Sequence, residues 1–344
     1  MGVERLDTLG MFDAAAGLPE QVRAAAEVAN EVDGLPSHDD IANVLVLGMG
    51  GSGMAGDLIA AVAGPFMPVP VVVSKGYEPP SFVDGSTLVI AMSFSGDTEE
   101  TVEATVTAAA EGGRVLVVCA GGELEELATS WQAPLLKVPR EIPMPRAAIG
   151  ALAIPVIVAL ERMELFPGAT SWIGLAIDQL TRRRDQLLAE ANPAEALARR
   201  IGRTLPIIYG GGDMGAVAAS RWKAQCNENA KIPAFANVVP ELCHNEICGW
   251  GQHGDLTRQV FSLVLLRHDH EHPQVSRRFD LLTDLVDEVV ADRFSVRAEG
   301  EGTLAQLLDL ILFGDFVSLH LAAQEGLDPG PVPALDQIKA DLSS

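Results

Sequence analysis

Residues 44–57 read VLVLGMGGSGMAGD. An apolar run breaks into glycines and resumes as a stretch of small residues, the pattern of a strand, a tight turn and a helix. Gly48, Gly50 and Gly53 satisfy the fingerprint G-x-G-x-x-G, in which the backbone approaches a phosphate at a helix N-terminus. Taken alone, the fingerprint leaves two readings open: a nicotinamide or flavin dinucleotide, or some other phosphate.

The surrounding sequence repeats the same grammar. VLVLG (44–48), VPVVVS (69–74), STLVIAMS (86–93), RVLVVCA (114–120) and PLLKVP (134–139) are short, rich in β-branched residues and almost continuously apolar. Strands of that kind lie inside a parallel sheet covered on both faces. Between them, segments such as 97–112 carry helical periodicity and much alanine. Alternating strand and helix predicts a doubly wound α/β domain. The pattern returns in LPIIYGGGDMG (205–215), followed by a strand QVFSLVLLR (259–267) and helices over 274–290 and 303–325. We therefore expect two parallel-sheet α/β domains, 1–150 and 151–344, with a long linking helix between 171 and 201.

Bulk properties bound the function. A chain of 344 residues has length for two such domains. The hydrophobic content of 48% and mean hydropathy of +0.21 suit a soluble globular protein. The longest apolar stretch, 147–160, contains Pro155 and is too short for a bilayer, so it reads as a buried helix. The opening MGVERLDTLG carries acidic residues and no apolar core, which predicts no signal peptide and a cytoplasmic protein. Cys119, Cys226, Cys243 and Cys248 form no C-x-x-C pair and read as reduced structural residues. A net charge of -23 argues against a nucleic-acid or anionic-membrane partner. An anionic substrate would then need a local positive field from helix N-termini and a few placed cations.

The third strand separates the two phosphate readings. It ends AMSFSGDTEET (91–101), placing Ser93, Ser95 and Thr98 around Gly96 just before a helix. Three hydroxyls plus free backbone N–H groups make a neutral cradle for a phosphate dianion. Ser95 or Thr98 is also expected to cap the helix, with Glu99 and Glu100 complementing its dipole. A dinucleotide site instead wants an acidic residue about 20 positions after the fingerprint. There the sequence has Ser74 and Lys75, with Glu78 beyond, leaving only a Lys75 contact to a 2′-phosphate in favour of NADP. Two loops at the carboxyl ends of neighbouring strands, one glycine-rich and one hydroxyl-rich, point to a shared crevice.

GMGGSG followed by SFSGDTEET resembles a SIS (sugar isomerase) domain, whose second loop holds the phosphate of a phosphosugar. PRAAIG (145–150), NENAK (227–231), PELCHNEICGW (240–250) and DPGPVPALDQIK (328–339) narrow the match. In that order they resemble the bifunctional phosphoglucose/phosphomannose isomerases, across the whole chain. The resemblance implies two SIS-type domains flanked by helices. It implies interconversion of glucose 6-phosphate and mannose 6-phosphate with fructose 6-phosphate, by ring opening and proton transfer through an enediol(ate), with no cofactor and no metal. Gly51, Ser52, Ser93, Ser95 and Thr98 would hold the phosphate. Glu228 matches the base that moves a proton between C2 and C1, and is expected near the end of a helix beginning after Gly215. His244 matches the histidine that opens the sugar ring, work suited to the near-neutral pKa of an imidazole. That histidine is implied to reach the neighbouring subunit's site in a homodimer. Arg146 matches the arginine facing the enediolate oxyanion, and Lys339 a lysine that assists ring opening.

The sequence departs from the family pattern at three places. Asp97 stands where asparagine is common, Cys243 replaces a common asparagine, and Gly330 replaces a small hydroxylic residue. A carboxylate at 97 would repel a phosphate unless it turned away to cap the helix that follows this loop. HDHEH (268–272) reads as a surface turn ahead of Pro273 rather than a metal tract. Glu241 and Glu246 are expected to orient or border the His244 loop, and Trp250 to pack. The competing class is a non-catalytic phosphosugar sensor, which would keep the hydroxyl loop but have no use for Glu228 or His244.

Overall fold

The computed structural model describes residues 6–342. The first five residues of MGVERLDTLG, which bear on the signal-peptide expectation, lie outside them. Helices α1 (Met11–Ala16) and α2 (Leu18–Ala29) lead into β1 (Asn43–Leu47), α3 (Gly50–Val62), β2 (Val71–Ser74) and β3 (Thr87–Ser93). There follow α4 (Glu99–Ala110), β4 (Arg114–Cys119), α5 (Gly122–Trp131), β5 (Leu135–Lys137) and α6 (Ile149–Arg162). The chain continues through α7 (Ala169–Leu188), α8 (Pro193–Ile201), β6 (Leu205–Gly211), α9 (Gly212–Glu228), β7 (Phe235–Val239) and α10 (Gly254–Val260). It closes with β8 (Phe261–Arg267), α11 (Pro273–Val286), β9 (Asp292–Arg297), α12 (Thr303–Gln324) and α13 (Pro333–Leu342). These elements form two compact units. One holds Gly17–Thr181 with Glu299–Asp309; the other holds the residues up to Ala16, Arg182–Ala298 and those from Leu310 onward.

The first unit carries a five-stranded, wholly parallel sheet in the order β2-β1-β3-β4-β5. Strand order reverses between β1 and β3, so the loops leaving their carboxyl ends diverge and open a crevice. Residues 44–47 of β1 and all of β3 are buried, which is why both read as unbroken apolar runs. Helix α3 lies close on the sheet because Gly56 has no side chain. A Cβ there would meet Val46 Cγ1 at 2.9 Å and Val73 Cγ1 at 3.2 Å. Leu45, Leu47 and Val89 pack with Ala104 and Ala108 of α4, and Val117 with Leu124 and Ala128 of α5. Each such buried Leu or Val contributes about 1.5–3 kcal/mol. Helix α6 is buried from Ile149 to Leu160, as its apolar stretch predicted.

The second unit repeats the topology on a smaller scale, with parallel strands in the order β7-β6-β8-β9. Its helix α9 is clamped to the Leu310–Ser344 part of the chain. Trp222 Nε1 donates to Leu310 O at 2.8 Å, and the indole fills the space at Gly314, where a Cβ would lie 2.2 Å from that nitrogen. Arg221 binds both carboxylate oxygens of Asp315 at 3.1 and 2.8 Å, and Gln225 Nε2 donates to the same group at 2.8 Å. Asn229 Nδ2 adds a bond to Ser318 Oγ at 2.9 Å. Among the described residues α12 alone is long and apolar enough to cross a membrane, and its apolar window is entirely buried.

The expected linking helix is two helices. Asn192 caps α8 by accepting from Ala194 N and Glu195 N at 2.9 and 3.1 Å, with Pro193 at its first position. That is a start signal strong enough to interrupt a continuous helix. Strand β8 begins only at Phe261, since Gln259 and Val260 close α10. Strands β7 and β9 are additions to the expected set; they form the two edges of the second sheet.

Candidate active site

Two loops build the crevice between β1 and β3. After Leu47 the chain turns at Gly48 and enters α3 at Gly50, whose φ of 51° is the left-handed region that glycine adopts without steric cost. A Cβ at Gly48 would lie 2.9 Å from Met92 O, and one at Gly53 would lie 2.6 Å from Gly48 O. The fingerprint glycines are thus required by backbone packing, whatever the ligand. Ser52 is buried, and its Oγ accepts from Phe94 N at 3.1 Å, joining this loop to the one that follows β3.

That second loop is organised by its own hydroxyls. Ser93 Oγ lies 2.8 Å from Thr98 Oγ1 and 3.5 Å from Ser95 Oγ, and accepts from Gly96 N at 3.1 Å. Ser95 Oγ accepts from Asp97 N at 3.2 Å. Thr98 occupies the N-cap position of α4, yet its side chain makes no capping bond. The expected hydroxyl cap is therefore replaced by a bond between hydroxyls, and the first-turn N–H groups of α4 meet no side-chain cap. Such groups carry the positive end of the helix dipole. Asp97 turns to the next helix instead, its Oδ1 accepting from Glu123 N of α5 at 2.9 Å. The carboxylate that looked hostile to a phosphate is engaged at a second helix N-terminus.

Arg146 enters on the short turn Pro145–Ala147 and is 2% exposed. A Cβ at Gly51 would lie 3.0 Å from Pro145 O and 3.3 Å from Arg146 N, so the two segments touch. One unit thus gathers Gly51, Ser52, Ser93, Ser95, Thr98 and Arg146: neutral donors and one guanidinium. Lys75, the residue that kept an NADP reading open, is held in an ion pair with Asp57.

Glu228, His244 and Lys339 belong to the other unit. Glu228 is the half-buried last residue of α9, which begins at Gly212, earlier than the sequence suggested. Three residues on, Lys231 adopts φ 57°, a left-handed conformation costing an L-residue about 1–2 kcal/mol. Its Nζ donates toward Glu228 O (2.7 Å), Asn229 O (3.3 Å), Asp328 O (3.1 Å) and Pro329 O (3.1 Å). Asp328 in turn accepts from Thr8 Oγ1 at 2.6 Å and Gly330 N at 3.1 Å. At Gly330 a Cβ would lie 2.8 Å from Leu9 Cγ and Cδ1, so the family's hydroxylic residue has no room here unless Leu9 moves.

His244 is exposed at the end of the turn Glu241–His244. Its loop is pinned two residues later. The Glu246 carboxylate accepts from Tyr209 OH and Asn237 Nδ2, while Trp250 Nε1 donates to Tyr209 OH at 3.1 Å. Asn245 Nδ2 donates to Glu241 Oε1 at 2.8 Å. Glu241, Glu246 and Trp250 therefore border and brace the loop as expected. Burial first, and then the Glu246 carboxylate, holds the Tyr209 phenol far above its ordinary pKa, so it stays a donor. Lys339 lies in the last turn of α13, a helix without a buried residue that exposes Leu335, Ile338 and Leu342.

The matching position in the second sheet, between β6 and β8, is filled by the chain itself. His268 is 4% exposed and its Nε2 donates to Gly211 O at 2.8 Å. A Cβ at Gly211 would already meet Phe279 and Val275 at 3.0 Å. HDHEH is a turn, but His268 is a core residue rather than a surface one. Glu271 pairs with Arg267, Asp269 with Arg297, and His272 Nδ1 caps α11 by accepting from Gln274 N at 3.1 Å. Among the described residues no group of three or more His, Cys, Asp or Glu side chains is placed to hold a metal ion. All four cysteines are free thiols; burial pushes Cys119 up to about 11 and Cys226 up to about 12. Sequence reading missed Lys231 and the α5 contact of Asp97, since neither a left-handed lysine nor a cap on a later helix leaves a local motif.

Residues 190–342 match the family model described as the bacterial phospho-glucose isomerase C-terminal SIS domain. The chain is 34% identical over 337 residues to a bifunctional phosphoglucose/phosphomannose isomerase from Caldicellulosiruptor bescii, covering 97% of this chain and 99% of that protein. It is 32% identical to the protein of the same name from Thermoplasma acidophilum, covering 88% and 90% respectively. Its fold is similar to that of a glucose-6-phosphate isomerase like protein from Thermus thermophilus. That match has a TM-score of 0.59 and 18% identity, and covers 94% of this chain and 96% of the other.

Proposed function

The chain belongs to the bifunctional phosphoglucose/phosphomannose isomerase family, and from that premise we propose that it interconverts glucose 6-phosphate and mannose 6-phosphate with fructose 6-phosphate. The observation that carries this reading is the near full-length match to relatives of that name. The hydroxyl-lined loop at the switch point of the first sheet supports it, because it offers a dianion neutral donors in a strongly acidic protein.

In the mechanism we infer, Gly51, Ser52, Ser93, Ser95 and Thr98 hold the phosphate, and the binding energy fixes the sugar for the chemical step. His244, assisted by Lys339, moves the proton between the ring oxygen and the anomeric hydroxyl, breaking the C–O bond of the ring. Glu228 takes the C2 proton of the open aldose, leaving an enediolate, and returns a proton to C1 while the oxygens exchange theirs. Arg146 stabilises the oxyanion meanwhile; its burial supports this role, since a cation in a water-poor site interacts strongly with developing charge. Glucose and mannose 6-phosphates differ only at C2, a centre that becomes planar in the enediolate, so a single base can serve both when rotation about the C2–C3 bond presents either face of that plane to it.

The exposure of His244 on its own chain, together with the uncovered apolar residues of α13, supports a homodimer in which His244 serves the neighbouring site. Four free cysteines support a reducing compartment such as the cytoplasm.

The test is a coupled assay with fructose 6-phosphate and EDTA, detecting glucose and mannose 6-phosphates separately, alongside Glu228→Gln. Turnover to both products that disappears in the variant is the expected result. Glucose product alone would show a narrowed specificity and make Gly330 the first residue to vary. Binding of fructose 6-phosphate without turnover would replace the enzyme with a phosphosugar sensor.

A further inference from the structure

Lys231 has no part in the mechanism above, yet it is the only lysine among the described residues with a positive φ. The conformation folds its side chain back over the end of α9. Four carbonyl oxygens surround the ammonium there: two from the helix end that carries Glu228, and two from Asp328 and Pro329. An ammonium has three protons for these four acceptors, so the bonds are shared, and the group acts as a cation in a ring of carbonyl dipoles. The acceptors on the helix side are the outward-facing carbonyls of its last turn, where the dipole favours positive charge. On the far side, Asp328 is held by Thr8 and Gly330. One side chain therefore ties the base's helix end to a loop 97 positions away in sequence and, through it, to the turn before α1.

We propose that Lys231 is a positioning residue for Glu228, acting as a solvent-facing cation that ties the end of α9 to the Asp328–Gly330 loop. The inference rests on the reading of Glu228 as the proton-transferring base. Lys231 touches no reacting atom in this account. Its loss frees the backbone of Glu228 to wander, and a base displaced by about 1 Å can lose about 10²-fold in rate.

Two variants of the full chain separate the charge from the backbone. Lys231→Met keeps an apolar stem and removes the cation. Lys231→Gly removes both but adopts positive φ without strain, and leaves the carbonyl ring vacant for a small added cation. Hydrogen exchange followed by mass spectrometry is expected to show faster exchange in both variants, at Glu228–Ile232 and at Thr8 and Gly330 together. With fructose 6-phosphate, kcat is expected to fall about tenfold or more while KM changes less than about threefold. Methylammonium chloride is expected to restore part of the Lys231→Gly loss, with sodium chloride at equal ionic strength as control. Unchanged exchange at Gly330, or kcat within about twofold of the parent chain, overturns the proposal. If the parent chain does not turn over fructose 6-phosphate, the proposed function fails, while the paired exchange pattern still decides whether Lys231 is the tie.

Discussion

The bond between Arg221 and Asp315 is a buried ion pair on α9, and Asp315→Ala tests what it contributes. The guanidinium is 2% exposed, and the carboxylate meets it through two bonds of 3.1 and 2.8 Å. Removing the carboxylate breaks a buried ion pair from one side only, a change that costs about 3–5 kcal/mol. Gln225 loses its acceptor at the same time. For a unit of this size each kcal/mol moves the melting temperature by about 2–4 °C, so a drop of roughly 6–20 °C is expected. The assay is thermal unfolding followed by circular dichroism at 222 nm. The decisive comparison is Arg221→Met combined with Asp315→Leu. Replacing both charges by apolar groups removes the desolvation penalty and should recover most of the loss. A single variant within about 1 kcal/mol of the parent, or a double variant no better than the single one, would refute the assignment of that energy to the buried pair.

Other outcomes follow from the same geometry. Ser93→Ala removes the acceptor of Gly96 N and the partner of Thr98, so kcat/KM for fructose 6-phosphate should fall about 10–100-fold. The binding midpoint in a phosphosugar titration should move with it, and a change below about twofold would count against the phosphate role. Gly96→Ala forces a Cβ to within 1.7 Å of Gly121 O at a φ of 84°; the loop must shift, and phosphosugar binding by calorimetry should be lost. Burial above all lowers the pKa of His268, which the Gly211 and Glu271 contacts only partly oppose. The unfolded chain therefore binds the proton first as pH falls through the ordinary histidine range. Stability from this group is complete above that range and declines below it. His268→Gln, which keeps a donor for Gly211 O, should flatten the loss of melting temperature between about pH 7 and 5.

The fold was legible where burial is symmetrical. Strands β1, β3, β4 and β6 are covered on both faces and read as apolar runs, and the glycine turns after β1 and β6 marked the two helices that follow them. The edge strands β7 and β9 escaped because their burial is uneven. Phe235 and Ala236 are exposed, and in β9 the buried Phe294 and Val296 alternate with exposed residues. A search for continuous apolar runs passes over such strands. At the site, the hydroxyl loop could be placed at the end of β3 from composition alone, and Glu228 at the end of α9 from the helix and Pro233. What the hydroxyls bond to could not be read, because Thr98 had two equally local partners and tertiary packing selected Ser93. The α5 contact of Asp97 and the carbonyl ring around Lys231 depend on segments 26 and 97 positions away. No local pattern records distances of that kind.

The interleaving of the two units has a consequence for synthesis. The unit built on the first sheet is completed by Glu299–Asp309. Asp309, fully buried, stitches that segment in by accepting from Gln179 Nε2 and Glu299 N, each at 2.8 Å. A ribosome working at about 5–20 residues per second adds Asp309 roughly 6–25 s after Thr181. For that interval the nascent chain holds a finished parallel sheet whose closing segment does not yet exist. The other unit begins before residue 17 and ends after residue 310, so its opening helix waits for nearly the whole chain. Completion of each unit thus waits on residues from late in the chain. A transcript truncated before codon 299 encodes neither unit whole, and such products should be cleared by proteolysis rather than accumulate as a folded half.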